Sequence, residues 1–125
     1  MVRKTIDDLG ELQKAVMESI WEQGEATVRQ VRDKLKRRKP LAYTTILSII
    51  QRLEKAGWVK HRVEGRTYVY QPTHSRNQEA GRSLKQFIAR IFHGDTRVVL
   101  QHILDDEDLS SEELEELREL VNKKK

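Results

Sequence analysis

The sequence contains no cysteine, so it can form neither disulfide bonds nor thiolate metal sites. No apolar run approaches the roughly 20 residues that a transmembrane helix needs. The start, MVRKTIDDLGELQ, has two basic residues but no apolar segment of the kind found in secretory signals. We therefore expect a cytoplasmic protein without membrane insertion. A length of 125 residues suits one domain with a modest core and a small appendage.

Motifs for catalysis and metal binding are also missing. The four histidines, at positions 61, 74, 93 and 102, do not form a metal-ligand pattern such as HExxH. Ser, His and Asp residues are present, but no motif groups them as in a hydrolase. We therefore predict that the protein is not an enzyme and has no metal site and no cofactor. A histidine-based zinc site linking the C-terminal helices is a less favoured alternative.

Charge is unevenly distributed along the chain. Residues 1–75 contain 15 Lys and Arg against 9 Asp and Glu, a net charge of +6. Residues 76–125 contain 9 against 11, a net charge of −2. This asymmetry predicts a basic half that binds a polyanion and a second half with a different task.

Hydrophobic periodicity predicts a mainly α protein with a small β-hairpin. Apolar residues three and four apart predict helices over residues 9–23, 28–38, 42–56 and 76–93, a fifth, short helix from Asp95 and a sixth helix capped by Ser110 or Ser111. Asp7 or Asp8 is expected to cap the first helix. After Gly57 the period changes to two, and the runs WVKHRV and RTYVYQ around Glu64-Gly65 predict a hairpin. This order indicates a winged helix-turn-helix domain over residues 1–75 and a helical domain over residues 76–125.

The third predicted helix, LAYTTILSIIQRLEKAG, carries hydroxyls and amides where a solvated helix usually carries Lys and Glu. In a winged helix-turn-helix domain this helix enters the major groove, whose base edges bond short donors and acceptors. We expect Arg52 to bind phosphate and the Tyr43 hydroxyl to reach the DNA backbone. The predicted contacts on this helix are Tyr43, Thr44, Thr45, Ser48 and Arg52, with Gln51 on the same polar face.

Basic residues flank this helix on both sides. Of the run KLKRRK before Pro40, Lys39 is the favoured phosphate contact; the alternative is an ordinary charged helix end. Arg62 and Arg66 lie beside the hairpin turn, from which a wing can reach an adjacent minor groove. The alternative for these two is charge that protects an edge strand from aggregation.

Several apolar residues of the first half are expected to pack rather than to contact DNA. Leu47 is placed against the preceding helix in preference to a thymine methyl group. Val59 and Val63 are expected on the buried side of the hairpin. The aromatic residues assigned to core and hairpin packing are Trp58, Tyr68 and Tyr70.

The C-terminal helices carry an apolar stripe that needs a second surface, because a segment of about fifty residues seldom folds alone. A second copy of the chain, related by two-fold symmetry, is the commonest such surface. Two DNA-binding domains held at a fixed spacing in this dimer would match a palindromic operator. The alternative is packing against the first domain in a monomer. The predicted dimer interface consists of Leu84, Phe87, Ile88, Ile91, Phe92, Val99, Ile103, Leu117 and Leu120.

The segment LGELQKAVMESIWEQGEATVRQVRDKLKRRKPLAYTTILSIIQRLEKAGWVKHRVEGRTYVYQP resembles the penicillinase-repressor and methicillin-resistance-repressor family of bacterial transcription factors. Its most specific part is LAYTTILSIIQRLEKAGWV, and DDEDLSSEELEELRELVNKK extends the likeness to nearly the whole chain. The resemblance implies a homodimeric winged-helix repressor that binds dyad-symmetric operators in double-stranded DNA and controls antibiotic-resistance or related stress genes. It also implies DNA contacts at Thr44, Thr45, Ser48 and Arg52 and at the wing around Arg66.

The resemblance further implies how relatives under antibiotic control are inactivated. A membrane sensor triggers proteolysis of these relatives between an Asn and a Phe of the fifth helix. The matching positions here are Gln101 and His102, a different pair, so the resemblance gives little support for cleavage at this bond or for β-lactam control. Copper-responsive members carry paired C-terminal cysteines, and this chain has none.

A different function class is a winged domain that contacts another protein or binds nucleic acid without sequence preference. The charge of +6 in the first half favours a polyanion over a protein partner. RNA-binding modules usually present stacking aromatics on a sheet, and only two strands are predicted here. Double-stranded DNA is therefore the predicted partner.

Overall fold

The computed structural model describes residues 4–35, 41–105 and 108–124. The chain divides into two compact units, Met1–Ser83 and Leu84–Lys125. The first unit contains a 3-10 turn (Ile6–Asp8), α1 (Glu11–Gln23), α2 (Val28–Lys34), α3 (Tyr43–Lys55), β1 (Val59–Glu64) and β2 (Thr67–Pro72). Helix α4 (Arg76–Ile91) begins in the first unit and ends in the second, which also contains α5 (Thr96–Leu104) and α6 (Ser111–Lys123). None of the described helices is both long enough and apolar enough to span a lipid bilayer.

Helices α1, α2 and α3 and the hairpin of β1 and β2 enclose the core of the first unit. The Trp21 and Trp58 rings meet edge to face, with centroids 6.4 Å apart. The Trp21 indole N–H donates to the carbonyl of His74 over 2.9 Å, which satisfies the polar edge of a large apolar ring. The helical residues buried in this core are Val16, Met17, Ile20, Val28, Val31, Ile46, Ile50 and Leu53.

The predicted start of the first helix, at Leu9 with an aspartate cap, is wrong. Helix α1 begins at Glu11 with Gly10 as its N-cap, and the Gly10 N–H donates to the side-chain oxygen of Gln13 over 3.2 Å. Asp8 instead accepts from the Thr5 N–H over 3.1 Å and so closes the separate 3-10 turn. A local side-chain bond therefore holds the chain in a turn where periodicity alone suggested helix.

Helix α2 is joined to α3 by a defined contact. Thr27 and Gln30 form a capping box at the start of α2, with bonds of 3.2 and 2.9 Å to each other's backbone N–H groups. The described part of the helix ends at Lys34, and residues 36–40 of the predicted helix and break lie outside the described residues. Arg32 donates through Nε to the Leu41 carbonyl over 2.7 Å, which ties α2 to the chain just before α3.

Helix α3 ends at the predicted glycine. Gly57 has a φ of +88°, a conformation that favours glycine because it has no Cβ. The Trp58 N–H donates to the Leu53 carbonyl over 2.9 Å, and the Gly57 N–H donates to the Glu54 carbonyl over 3.0 Å. These two bonds form a Schellman motif, which directs the chain from α3 into the hairpin.

The predicted hairpin is present, but only part of its expected face is buried. Glu64 pairs with Thr67 around a two-residue loop in which Gly65 has a φ of +64°. Val59 is buried as expected, whereas Val63 is 60% exposed, so its predicted burial is wrong. Both side chains point to the same side of the pleat, but only Val59 lies at the end of the strand where the helices pack.

The first turns of α4 pack with the first unit. Ser75 and Gln78 cap the start of α4 with bonds of 3.0 and 2.8 Å between the side chain of each and the backbone N–H of the other. The Glu79 carboxylate is buried within 3.3 Å of the Arg82 guanidinium and 3.7 Å of the His74 ring nitrogen. The compact units therefore divide at 83/84 rather than at Ser75, and the domain boundary at 75/76 stays a prediction.

The second unit leaves its apolar side chains accessible. Asp95 caps α5 by accepting from the Val98 N–H over 3.3 Å, and Ser110 caps α6 by accepting from the Glu113 N–H over 3.1 Å. No described residue of α5 or α6 is buried. An apolar groove of about 660 Å³ is lined by Leu100, Ile103, Leu104, Leu114, Leu117, Leu120 and Val121, among other residues.

Candidate nucleic-acid interface

Helix α3 presents the predicted polar face to solvent. Thr44, Thr45, Ser48 and Arg52 are exposed, and no hydrogen bond or ion pair of their side chains occurs within the described residues. The opposite side of the helix is anchored in the core by residues such as Ile50. Rigid anchoring on one side and free donors and acceptors on the other are what base recognition in a groove requires.

The remaining residues with predicted roles near α3 are Lys39, Tyr43 and Leu47. Tyr43 occupies the first turn of α3 and is 43% exposed. Leu47 packs against the core, as expected. Lys39 lies outside the described residues, so its contact with DNA stays a prediction.

The two arginines of the hairpin, Arg62 and Arg66, differ in their side-chain partners. Arg62 donates to Glu25 and to Glu64, each over 2.8 Å. The Arg62 hydrogen bond, followed by one from Gln71, holds the pKa of the Glu25 carboxyl below its ordinary value, and the same pairing raises the pKa of Arg62. Arg66, in the loop, has no side-chain partner in the described part of the chain and is exposed. Arg66 is therefore available to a ligand, whereas Arg62 would have to exchange its carboxylate bonds for new ones.

The hairpin is held to α3 by His61. Its Nδ1 lies 2.5 Å from a carboxylate oxygen of Glu54 on α3. Its ring stacks on Tyr68 with centroids 4.2 Å apart and an angle of 8° between the planes. Beside them, burial raises the pKa of the Tyr70 phenol, and the Glu54 charge adds to this shift. Glu54, His61 and Tyr68 thus fix where the hairpin, the predicted wing, stands beside α3, the reading helix.

A groove of about 690 Å³ separates α3 from the hairpin. Its lining includes Tyr43 and Gln51 from α3, Arg66 and Tyr68 from the hairpin, and Arg29 from α2. Tyr68 packs within the hairpin, where its ring meets those of His61 and Tyr70, but it is 49% exposed in this groove and is not part of the core. The place of Arg29 in this groove could not be predicted from the sequence, because one arginine on the polar side of α2 has no pattern that distinguishes it from a solvated residue.

The predicted residues of the second unit lie on accessible helix faces. Gln101 and His102 are exposed on α5, and the His102 ring is 5.8 Å from that of Phe92. Phe87 and Phe92 meet edge to face with centroids 6.0 Å apart. Among the predicted interface residues, those with large exposed areas are Leu84, Phe87, Ile91, Ile103 and Leu120, while Ile88, Phe92, Val99 and Leu117 are half-buried. No cluster of three or more acidic or histidine side chains suited to a metal ion occurs among the residues described.

The family model of the penicillinase repressor matches residues 9–123, nearly the whole chain. The chain belongs to the penicillinase repressor family. This family consists of transcriptional repressors, in agreement with the resemblance read from the recognition helix and the C-terminal segment. The predicted fold class, a mainly α winged helix-turn-helix protein with a small hairpin, is confirmed.

Individual relatives agree with this assignment. The transcriptional regulator BlaI of Mycobacterium tuberculosis (strain CDC 1551 / Oshkosh) is 42% identical over 71 residues, which cover 56% of this chain and 51% of that protein. This chain thus spans about half the length of that relative. The methicillin resistance regulatory protein MecI of Staphylococcus aureus (strain N315) is 28% identical over 87% of this chain and 89% of its own. The solution structure of the DNA-binding domain of the repressor BlaI has a TM-score of 0.50 and 29% identity, over 58% of this chain and 89% of that one.

Proposed function

We propose that the protein is a cytoplasmic, homodimeric, sequence-specific repressor that binds dyad-symmetric operators in double-stranded DNA. The observation that carries the proposal is the exposed face of α3. There Thr44, Thr45 and Ser48 present hydroxyls to solvent while the other side of the helix is buried. A buried anchor holds these donors at a constant geometry, which lets them discriminate between base edges.

The wing and the charge of the first half support the same partner. Arg66 stands at the hairpin loop without a side-chain partner in the described residues, next to the reading helix. The net charge of +6 over residues 1–75 favours approach to phosphates. The relatives named above are regulators of transcription and of methicillin resistance, which supports antibiotic-resistance or related stress genes as targets.

The second unit supports the homodimer. Its helices expose large apolar side chains, among them Phe87 and Leu120, that a monomer would leave in contact with water. A two-fold copy would cover this surface with the same residues from both chains and would place two reading helices on two half-sites. Proteolytic control by a membrane sensor is not part of the proposal, because Gln101 and His102 differ from the family's cleaved pair.

Selection from random duplex DNA tests this function directly. Purified protein is incubated with a random duplex library at near-physiological salt, and bound sequences are enriched and read. We expect a motif with two-fold symmetry, bound by two chains as measured by mass. Enrichment of no motif, or binding that disappears uniformly with added salt, would instead favour nonspecific nucleic-acid binding or a protein partner.

Two double variants show whether side chains of α3 contact the bases of the selected motif. Thr45→Ala with Ser48→Ala should weaken binding to the selected duplex much more than binding to random duplex, because hydroxyls that contact bases contribute only to the correct sequence. Thr96→Ala with Ser111→Ala removes the same groups from the second unit and should change neither affinity. Equal losses on the two duplexes would show that Thr45 and Ser48 do not read bases.

A further inference from the structure

The exposed side chains of Thr44, Thr45, Ser48 and Arg52 form the reading face of α3. The groove between α3 and the hairpin lies beside this face but is not part of it. Within α3, Tyr43, Leu47 and Gln51 line the groove; Tyr43 and Gln51 are exposed, whereas Leu47 packs against the core. Residues 44, 45 and 48 of the reading face do not line it. The groove is therefore a separate feature that the predicted base contacts at Thr44, Thr45 and Ser48 do not explain.

The charged side chains that line the groove are cationic, and the other lining residues are aromatic, aliphatic or neutral and polar. Arg29 enters it from α2 and Arg66 from the hairpin loop, and no carboxylate is among its lining residues. Several other arginines of the first unit are bonded to the protein, for example Arg76 to Glu18 over 2.9 Å and Arg32 to the Leu41 carbonyl. Within the described residues, Arg29 and Arg66 have no such partner. Two unpaired guanidinium groups facing one concave surface favour an anionic ligand.

The groove is also held in shape. Tyr68 forms one wall, and its ring is fixed by the stack on His61, which is itself bonded to Glu54 of α3. The hairpin therefore cannot swing away from α3 without breaking these contacts. A groove that keeps its width in the free protein can accept an extended ligand at little conformational cost.

From these observations, and resting on the proposed function, we infer that the groove seats the sugar–phosphate backbone of one operator strand. In this arrangement Arg29 bonds a backbone phosphate that the reading face does not contact. Arg66 stands at the other side of the same channel, Gln51 supplies an amide donor, and the Tyr68 hydroxyl adds another polar contact. Arg29 therefore contributes affinity for duplex DNA of any sequence and positions the reading helix without selecting bases.

Two substitutions that each remove one positive charge separate a phosphate contact of Arg29 from a general effect of charge. Arg29→Gln removes the cation from the groove. Lys60→Gln removes one from β1, where Lys60 pairs with Gln71 on the face of the hairpin opposite to Tyr68. Both positions are exposed, and thermal unfolding of each variant checks that the fold is retained.

The salt dependence of binding is the first readout. For wild type and both variants, the affinity for the selected duplex and for a random duplex is measured over a series of salt concentrations. We expect Arg29→Gln to reduce the slope of log K against log salt by about 1 on both duplexes and to leave their affinity ratio unchanged, because one phosphate contact is lost. Lys60→Gln should leave the slope closer to that of wild type. An unchanged slope for Arg29→Gln, or equal slopes for the two variants, would overturn the inference.

Neutralising single phosphates gives the second readout. Selected duplexes are prepared with one methylphosphonate at each backbone position in turn. We expect one position per half-site at which this change weakens binding of wild type and of Lys60→Gln but has no effect on Arg29→Gln. Absence of such a position would refute the backbone contact of Arg29 while leaving sequence-specific binding intact. Failure of wild type to bind any duplex would instead overturn the proposed function and, with it, this inference.

Discussion

Helices α3 and α6 are both 13 residues long and both amphipathic, but they are buried to very different extents. Ile50 of α3 is 0% exposed, whereas Leu120 of α6 is 60% exposed. The first unit surrounds α3 with two other helices and a hairpin. In the second unit, no described residue of α5 or α6 is buried.

This difference shows what an apolar stripe does and does not establish. Helices of about 12–15 residues are marginal in water, so most of their stability comes from packing an apolar face. The first unit provides that packing from its own chain. The second unit has the stripe without a sufficient surface to cover it, which is why we attribute the stripe to association with a second copy.

The largest effect is expected from the core of the first unit. Ile50→Ala should lower the free energy of unfolding by about 2–5 kcal/mol, because it removes buried methyl and methylene groups and leaves a cavity. Both tryptophans, Trp21 and Trp58, lie in the first unit, so their fluorescence in urea reports its unfolding. Val63→Ala, at an exposed site of the same unit, should change the value by no more than about 0.5 kcal/mol. Similar losses for the two variants would contradict the assigned core.

A charged substitution in the apolar surface of the second unit should weaken dimer association without unfolding the first unit. Phe87→Glu should raise the dimer dissociation constant by about thirty-fold or more, since aromatic residues at the centre of an interface contribute about 2 kcal/mol or more. Sedimentation equilibrium measures the constant, and tryptophan fluorescence shows that the first unit stays folded. Gln86→Glu, which adds the same charge on the same helix, is the matched control. A dimer as tight in Phe87→Glu as in wild type would place the interface elsewhere.

The smallest effect concerns ion pairs and pH. Arg62 and Gln71 bond Glu25, so the first unit is held together by side chains far apart in the sequence. Because the pKa of Glu25 is lowered in the folded state, its contribution is complete above its ordinary value of 4.5 and is lost as the pH falls through the lowered pKa. Arg62→Gln removes the main cause of the shift. The variant's free energy of unfolding should therefore depend less steeply on pH from about pH 5 to about pH 3.

Urea unfolding at several pH values measures this dependence. The second unit offers a control in Arg118, which lies 3.9 Å from Glu115 one turn away on the same exposed helix. Arg118→Gln should leave the acid dependence of tryptophan-detected unfolding unchanged, since such surface pairs contribute little. An acid dependence that Arg62→Gln does not alter would show that the pair with Glu25 does not act in solution.

Much of the fold could be predicted because its signals are local. The caps at Ser75, Asp95 and Ser110 join groups three residues apart, and Gly57 ends α3 through bonds within one turn. The change of period after Gly57 predicts the hairpin for the same reason. The exposed polar face of α3 follows from helical spacing once its apolar residues are placed in a core.

Errors arose where distant segments meet or where a side chain closes a turn. Val63 fits the pattern of a buried strand residue, but its side chain is 60% exposed. The bond from Arg62 to Glu25 could not be predicted either, because the two residues lie 37 positions apart in the sequence; the DNA contact of Arg62 stays a prediction. Thr5 and Asp8 form a turn ahead of α1 that periodicity does not reveal.

The sequence by itself determined the helices, the hairpin, the family and the polar side of α3, because each depends on the order and spacing of neighbouring residues. Only the tertiary structure decided that Arg29 and Tyr68 face one groove and that Arg62 is bonded while Arg66 has no side-chain partner in the described part of the chain. It also decided that no residue described in α5 or α6 is buried. These features depend on distances between segments remote along the chain. The packing of the core sets those distances, and no local pattern records them.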